Sequence, residues 1–533
     1  MDRSMIRSPL AMPDPTPSLA AAQAAFDNGR YEACLQMIRH LQSLGIVDEA
    51  QAVLAQTAYM RLGELHKALG QANLLRRIAP SPERDIETRR LLGRIIETDP
   101  SWLPNLDHIP RENRKEDGDG GPTILHVLKE SLPYVETGFT MRSRMTLHAQ
   151  LLAGFVPEVI TSVGFPRTKG IERFPETEVV DGVRHHRIDD PTYEDPRSLP
   201  GDVYISLSAE LAAPIADRLQ PGLIQAGTGY RGYDTALVGL ALAQRLDVPF
   251  VYEVRGFQEA TWTSSPARGE RGEYYRRRVE QENRCMHAAD AVITIAEAMA
   301  EEIVGRGIPS SKVAVVPNAV DTERFSPRPK RQDLIERYGI GDRFVIGYIS
   351  NLGAREGIEH LIDAVKILSD RGVDVACMIA GDGPRRPKLQ EQIAELDLEE
   401  HVVLAGHVPN EMIEDYYALI DLFVVPRIED RAARLVTPLK PLEAMAMGLP
   451  VIASDLPALR ELVAPGERGE VFSPGDSTAL AQLILDLIDN ESDRERYAQS
   501  GNKWVKEHRT VQSNADRYAS ILRPLIGETQ TTT

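Results

Sequence analysis

Residues 421–455 read DLFVVPRIEDRAARLVTPLKPLEAMAMGLPVIASD: an apolar run, a loop rich in cations, a short helix-forming segment and a second apolar run. Leu422 to Val425 is continuously apolar, the pattern of a parallel strand covered on both faces. Pro426 stops it, and the loop that follows carries Arg427, Arg431, Arg434 and Lys440. Pro441, Leu442 and Glu443 open a helix predicted over Leu442 to Met447, which Gly448 and Pro450 end. The stretch is a βαβ fragment, and open α/β sheets bind ligands beyond the carboxyl ends of their strands. Cations beside a helix N-terminus, where free N–H groups and the helix dipole favour negative charge, make a place for an anion, and a phosphate suits it. Glu443 in the first turn also reads as an ordinary capping carboxylate.

The same alternation extends on both sides. Thr123 to Leu128 predicts a strand, followed by a loop that turns at Gly138 into a helix running to about Leu152. This repeats the anion-site logic in an earlier domain. Further strands are predicted at Glu158 to Val163, Val203 to Ser206, Gly222 to Gln225, Phe250 to Val254 and Ala291 to Ile295, with a helix over Tyr233 to Arg245. Later strands fall at Phe344 to Ile349, Val375 to Ala380 and from Val402, and Gly381-Asp382-Gly383-Pro384 makes a tight turn where backbone can approach a ligand. Strand and helix in alternation predict doubly wound parallel sheets of the α/β class. At 533 residues the chain is too long for one core.

The strand-end rule points to Arg255, just beyond Phe250 to Val254. It could hydrogen-bond a ligand hydroxyl or a phosphate, or pair with Glu253 or Glu259. Thr261 to Tyr275 has no apolar periodicity and reads as a mobile loop, and Arg276-Arg277-Arg278 as a solvated helix face.

Before the first strand, Leu19 to Ile96 is Ala- and Leu-rich, and Gly29 and Gly63 stand 34 residues apart, as do Cys34 and Ala68. That period matches tetratricopeptide helix pairs; a plain helical bundle is the other reading. Either serves self-association or a protein partner. Residues 1–18 and 527–533 read as disordered tails and 115–122 as a Gly-rich linker, whose Asp117 and Asp119 resemble a metal-binding pair but follow no strand.

A net charge of −18 argues against a nucleic-acid partner. Three widely spaced cysteines give no disulfide framework or metal set. The absence of a long apolar run or signal-peptide core leads to a cytoplasmic expectation, with at most transient membrane contact.

Lys440 to Ala453, KPLEAMAMGLPVIA, closely resembles the nucleotide-sugar segment of glycosyltransferase family 4. Val313 to Asp321, with Phe325 and Pro327, resembles that family's inter-domain crossover, and the likeness spans about Thr123 to Ile526. It implies a GT-B fold of two Rossmann-like domains facing a cleft: 123–327 for the acceptor, 328–505 for the donor, and a helix at 506–526 crossing back, all preceded by the helical extension 19–114. It implies retaining transfer from a nucleotide-diphosphate sugar, UDP-linked by family preference, to a saccharide, lipid-linked or small-molecule acceptor, with no essential metal or cofactor. Glu443 then binds donor ribose, and the Thr437 to Pro441 loop, with Leu439, holds the diphosphate. Lys440 and Arg255 take the catalytic positions, and Gly138, Arg355, Gly381, Gly383, Val402, Arg427 and Arg434 complete the donor site. Two departures stand out: Leu435 occupies the place of the family's first acidic residue, and Glu356 that of a lysine. They keep open an epimerase or hydrolase on the same fold and a weakened nucleotide-sugar-binding scaffold.

Overall fold

The computed structural model describes residues 18–45, 47–109, 121–263 and 272–527. The expectations for residues 1–17, 115–120 with Asp117 and Asp119, 264–271 and 528–533 lie outside them. The chain divides into two compact units.

One unit holds the described residues of Met1–Trp102 together with Arg197–Tyr204 and Thr261–Gln281. Five helices, Leu19–Asp27, Tyr31–Ser43, Glu49–Leu62, Leu65–Ile78 and Pro82–Glu97, pack on their chain neighbours. Gly29 and Gly63 sit in the turns of two successive hairpins at φ 72° and 74°, a left-handed conformation that glycine adopts without strain. Cys34 and Ala68, one period apart, are both fully buried, so the 34-residue offset marks a repeated helical hairpin. Two later segments complete this unit. Arg89 grips Asp202 through both terminal nitrogens at 2.9 and 2.6 Å, and Arg277 donates to Thr98 Oγ1 and the Ile95 carbonyl. The solvated face expected at Arg276 to Arg278 is therefore corrected at Arg277 and at Arg278, which is buried, and the described end of the expected mobile loop belongs to this helical unit.

The other unit contains two parallel sheets. The first comprises β1 Thr123–Leu128, β2 Val156–Thr161, β3 Thr177–Val180, β4 Val183–His186, β5 Leu223–Gly227, β6 Phe250–Val254, β7 Ala291–Thr294 and β8 Val313–Val315, in the order β3-β4-β2-β1-β5-β6-β7-β8. Only β3 runs antiparallel, paired to β4. The second comprises β9 Phe344–Ile349, β10 Val375–Ala380, β11 Val402–Gly406, β12 Leu422–Val425, β13 Val451–Ser454 and β14 Gly469–Phe472, in the order β11-β10-β9-β12-β13-β14. Strands β5, β6, β7, β10, β12 and β13 are buried throughout, which is why their sequences are runs rather than alternations.

Val203 to Ser206, predicted as a strand, lies inside the helix Gly201–Leu219. Its Tyr204 and Ile205 continue into Ala209, Ala212, Ala213 and Ala216, all buried, and this three-to-four spacing outweighs the β-favouring run. The helix Val511–Ile526 packs Ala515, Tyr518 and Leu522 into one core with Ile124, Leu223 and Val251 of the first sheet.

The two sheet domains also meet at the helix Glu297–Gly305. The Glu297 N–H donates to Glu461 Oε2 at 2.9 Å, and Glu302 receives Arg431 at 2.7 Å and Arg306 at 3.0 Å. Burial pushes the Glu461 carboxyl up to about 7, against the pull of the Glu297 N–H and Arg509. The unfolded carboxyl titrates at about 4.3, so between those values the native state holds a proton that the unfolded chain has lost. Stability from this group is complete below the lower value and drains away as pH rises to about 7. In thermal scans, the melting temperature of Glu461→Gln relative to the native protein should climb from pH 5 to pH 8; a constant difference would contradict this.

Candidate active site

A cavity of about 780 Å³ opens at the carboxyl ends of strands from both sheets, the position that open α/β sheets reserve for ligands. Of the residues singled out in the sequence, Gly138, Arg255, Gly381, Arg427, Thr437, Leu439, Lys440 and Glu443 line it. Arg355, Gly383, Val402 and Arg434 do not. Val402 begins its strand, at the end opposite the cavity, and His407 and Val408 beyond β11 line the space instead. Arg434 is paired with Glu429 at 2.6 Å and Arg355 with Asp430 at 3.0 Å.

The wall from the second sheet is built around β12 and the loop after it. Arg427, one residue past Pro426, lies against Glu356, with Nε and Nη2 donating to the two carboxylate oxygens at 3.1 and 3.2 Å. Glu443, in the first turn of the helix Lys440–Ala446, receives Lys440 Nζ at 2.9 Å and the Tyr417 hydroxyl at 2.7 Å, both on Oε2. Asn318, in the crossover between domains, donates to the Thr437 carbonyl at 2.9 Å and so fixes the loop from the other side. Gly381 adopts φ 130°, and a Cβ there would lie 1.8 Å from the Ser350 carbonyl oxygen, so only glycine closes that turn.

The wall from the first sheet rests on a buried carboxylate. Arg255 does pair with Glu253, at 2.8 Å, and also lines the cavity. Its Nη1 donates to Ser143 Oγ at 2.7 Å, and its guanidinium lies 4.5 Å from the centre of the Phe139 ring. Arg142, on the helix Gly138–Leu152, donates to the other Glu253 oxygen at 3.0 Å and to the carbonyls of Val316 and Pro317 in the crossover. Burial by itself would raise the Glu253 carboxyl, but Arg255 and Arg142 outweigh it and hold it at about 2. The same carboxylate ends a chain of buried polar groups: His126 to Gln150 at 2.6 Å, Gln150 to Gln225 at 2.8 Å, Gln225 to Glu253 at 3.2 Å. Burial pushes the His126 imidazole down to about 4, so it enters this chain neutral at physiological pH.

Arg142 and Tyr417 escape sequence reasoning. For Tyr417 no local signal exists. Arg142 belongs with Thr146 and Gln150 to a buried polar stripe at four-residue spacing, and that stripe, on a helix expected to cover an apolar sheet, is a signal of a buried network.

Among the described residues no three His, Cys, Asp or Glu side chains gather to hold a metal ion, and no helix is long and apolar enough to cross a membrane.

Two family models match in succession: a glycosyl transferase 4-like domain over residues 114–319 and glycosyl transferases group 1 over residues 330–504. The chain carries a glycosyl transferase 4-like domain followed by a glycosyl transferases group 1 domain. Among curated relatives, a GDP-mannose-dependent alpha-(1-6)-phosphatidylinositol monomannoside mannosyltransferase of Mycolicibacterium smegmatis is 33% identical over 218 residues, 40% of this chain and 57% of that protein. The chain spans about half the length of the curated relatives it matches. Among solved structures, sucrose-phosphate synthase of Thermosynechococcus elongatus superposes with a TM-score of 0.60 at 19% identity, over 76% of this chain and all of that one. The Anabaena protein HepE in complex with UDP-glucose gives 0.57 at 19% identity, over 76% of this chain and all of that one. The glycosyltransferase fold is GT-B, with a helical N-terminal region added to its two sheet domains.

Proposed function

We propose that the chain transfers a glycosyl group, with retention of configuration, from a nucleoside-diphosphate sugar to a saccharide, lipid-linked or small-molecule acceptor. The observation that carries this reading is the group Arg427, Lys440 and Glu443 on one wall of the cavity, facing Gly138 and Arg255 on the other. Lys440 and Arg427 stabilise the departing diphosphate, while Glu443 takes the ribose hydroxyls. Charge that develops in the transition state is met best by donors already fixed in place.

The bond between the anomeric carbon and the diphosphate oxygen breaks, and the acceptor oxygen bonds to that carbon on the same face. The acceptor proton passes to the departing phosphate. Leu435 supplies no carboxylate nucleophile, and Arg255, permanently charged, accepts no proton, so neither displaces this route. No metal is required. UDP-glucose and GDP-mannose are the donors to try first, since HepE was solved with the former and the mycobacterial relative is named for the latter. The tetratricopeptide-like helices serve self-association or a protein partner, in the cytoplasm, where contact with a lipid-linked acceptor is transient.

The test is release of UDP or GDP from these donors with and without a panel of saccharide and lipid-linked acceptors, with the anomeric coupling of the product read by NMR. Acceptor-stimulated release with an unchanged anomer is expected. Release or sugar alteration indifferent to acceptor would mark the hydrolase or epimerase instead, and binding without turnover the scaffold.

A further inference from the structure

Glu356 sits in the donor half of the cavity as an acid among the cations expected to meet a diphosphate, and by charge alone it works against such a ligand. Its geometry gives it another part. The carboxylate takes the Nε and Nη2 edge of Arg427 at 3.1 and 3.2 Å, while Arg427 Nη1 donates to the Val436 carbonyl at 3.2 Å. The Tyr348 hydroxyl, at the same cavity, donates to that carboxylate as well. The backbone is equally constrained. Gly357, at φ 61°, approaches Pro426 so closely that a Cβ would lie 2.1 Å from its carbonyl oxygen, and the Ile428 N–H donates to the Arg355 carbonyl at 3.1 Å. The turn that bears Glu356 is thus fastened to the strand end that bears Arg427.

We propose that Glu356 is a positioning residue that sets Arg427, and through Val436 the loop running to Lys440, in the one orientation that receives the donor's diphosphate. A guanidinium held along one edge by a carboxylate keeps its plane and gives up little further freedom when an anion arrives. Without the clamp, the cation remains but its direction is lost, and misplacement by about 1 Å is enough to cost a factor of about 100 in a positioned site. This rests on the donor reading above.

Charge and position predict opposite signs, which makes the test direct. Binding of UDP and of GDP is measured by titration calorimetry on the native protein, Glu356→Gln, Arg427→Met and the double variant, with thermal unfolding of each unliganded protein to verify folding. The diphosphate that binds the native protein should bind Glu356→Gln about ten-fold or more weakly, although a negative charge has been removed from beside it. The double variant should bind no more weakly than Arg427→Met, since Glu356 acts through Arg427. If Glu356→Gln lowers the melting temperature, Arg427→Lys, which keeps the charge but not the fork, should show the same weakening. Equal or tighter binding by Glu356→Gln, or losses that simply add in the double variant, would overturn the proposal and leave the donor reading standing. A native protein that binds neither nucleotide would overturn both.

Discussion

Arg142→Met is expected to destabilise the first sheet domain by about 3–5 kcal/mol, the cost of breaking a buried ion pair from one side. Arg142 and Glu253 are 4% and 1% exposed in their side chains, and the pair is closed at 2.9 Å. Methionine fills much of the volume but leaves Glu253 with Arg255 and Gln225 as its remaining partners, strips the Val316 carbonyl of its Arg142 donor and leaves the Pro317 carbonyl with Asn514 alone. An unmet buried acceptor costs about 1–3 kcal/mol by itself. The Tyr518 hydroxyl loses a neighbour at 3.3 Å, so the C-terminal helix is loosened as well. Arg144→Met, two residues away, is the control: its pair with Asp181 is 44% and 50% exposed, where such pairs contribute about 0–1 kcal/mol. Urea unfolding followed by both fluorescence and circular dichroism resolves the domain transition. Equal midpoints for the two variants would contradict the role given to Arg142.

Lys440→Ala is expected to reduce glycosyl transfer by about 10²- to 10³-fold, as when one preorganised donor is taken from a developing anion, with little change in stability. The side chain is 34% exposed, and its pair with Glu443 spans three residues, an arrangement worth about 0.2–0.5 kcal/mol in a helix. Glu443 keeps Tyr417. Arg434→Ala removes an equally suggestive cation from the same loop, yet Arg434 is paired outward with Glu429 and does not line the cavity, so transfer should stay within about twofold. Steady-state rates with saturating donor separate the two, and parallel losses would undo the assignment.

The contrast between those two cations shows what the sequence could and could not say. Strands β1, β6, β9, β10 and β12 run where the apolar residues run, because strands covered on both faces are near-continuous apolar runs, interrupted inside β1 and β6 by the buried His126 and Glu253. The β3–β4 hairpin is not anticipated from that pattern, since β3 is an edge strand with half of its residues exposed. Its turn, Asp181-Gly182 at φ 50° and 82°, is nevertheless a strong hairpin signal. The concentration of cations after β12 is visible in the chain, but not which of them lines the cavity. Arg434 and Arg355 pair with acids away from the cavity, whereas Arg427 pairs with Glu356, 71 residues away, and both of these line it. Tyr417 and Arg142 likewise act across the fold, 26 residues to Glu443 and 111 to Glu253, and nothing local records such contacts.

The central claim, that a nucleoside-diphosphate sugar binds between Arg427, Lys440 and Glu443, is tested most directly by thermal stabilisation with a panel of nucleoside diphosphates and nucleotide sugars on the native protein, Lys440→Ala and Glu443→Ala. At a hundred-fold excess over the dissociation constant, one-site binding adds about 2.7 kcal/mol, a shift of about 5 °C or more for domains of this size. A shift selective for one base and lost in both variants is the predicted result. No shift with any nucleotide at millimolar concentration, or an equal shift in all three proteins, would contradict it.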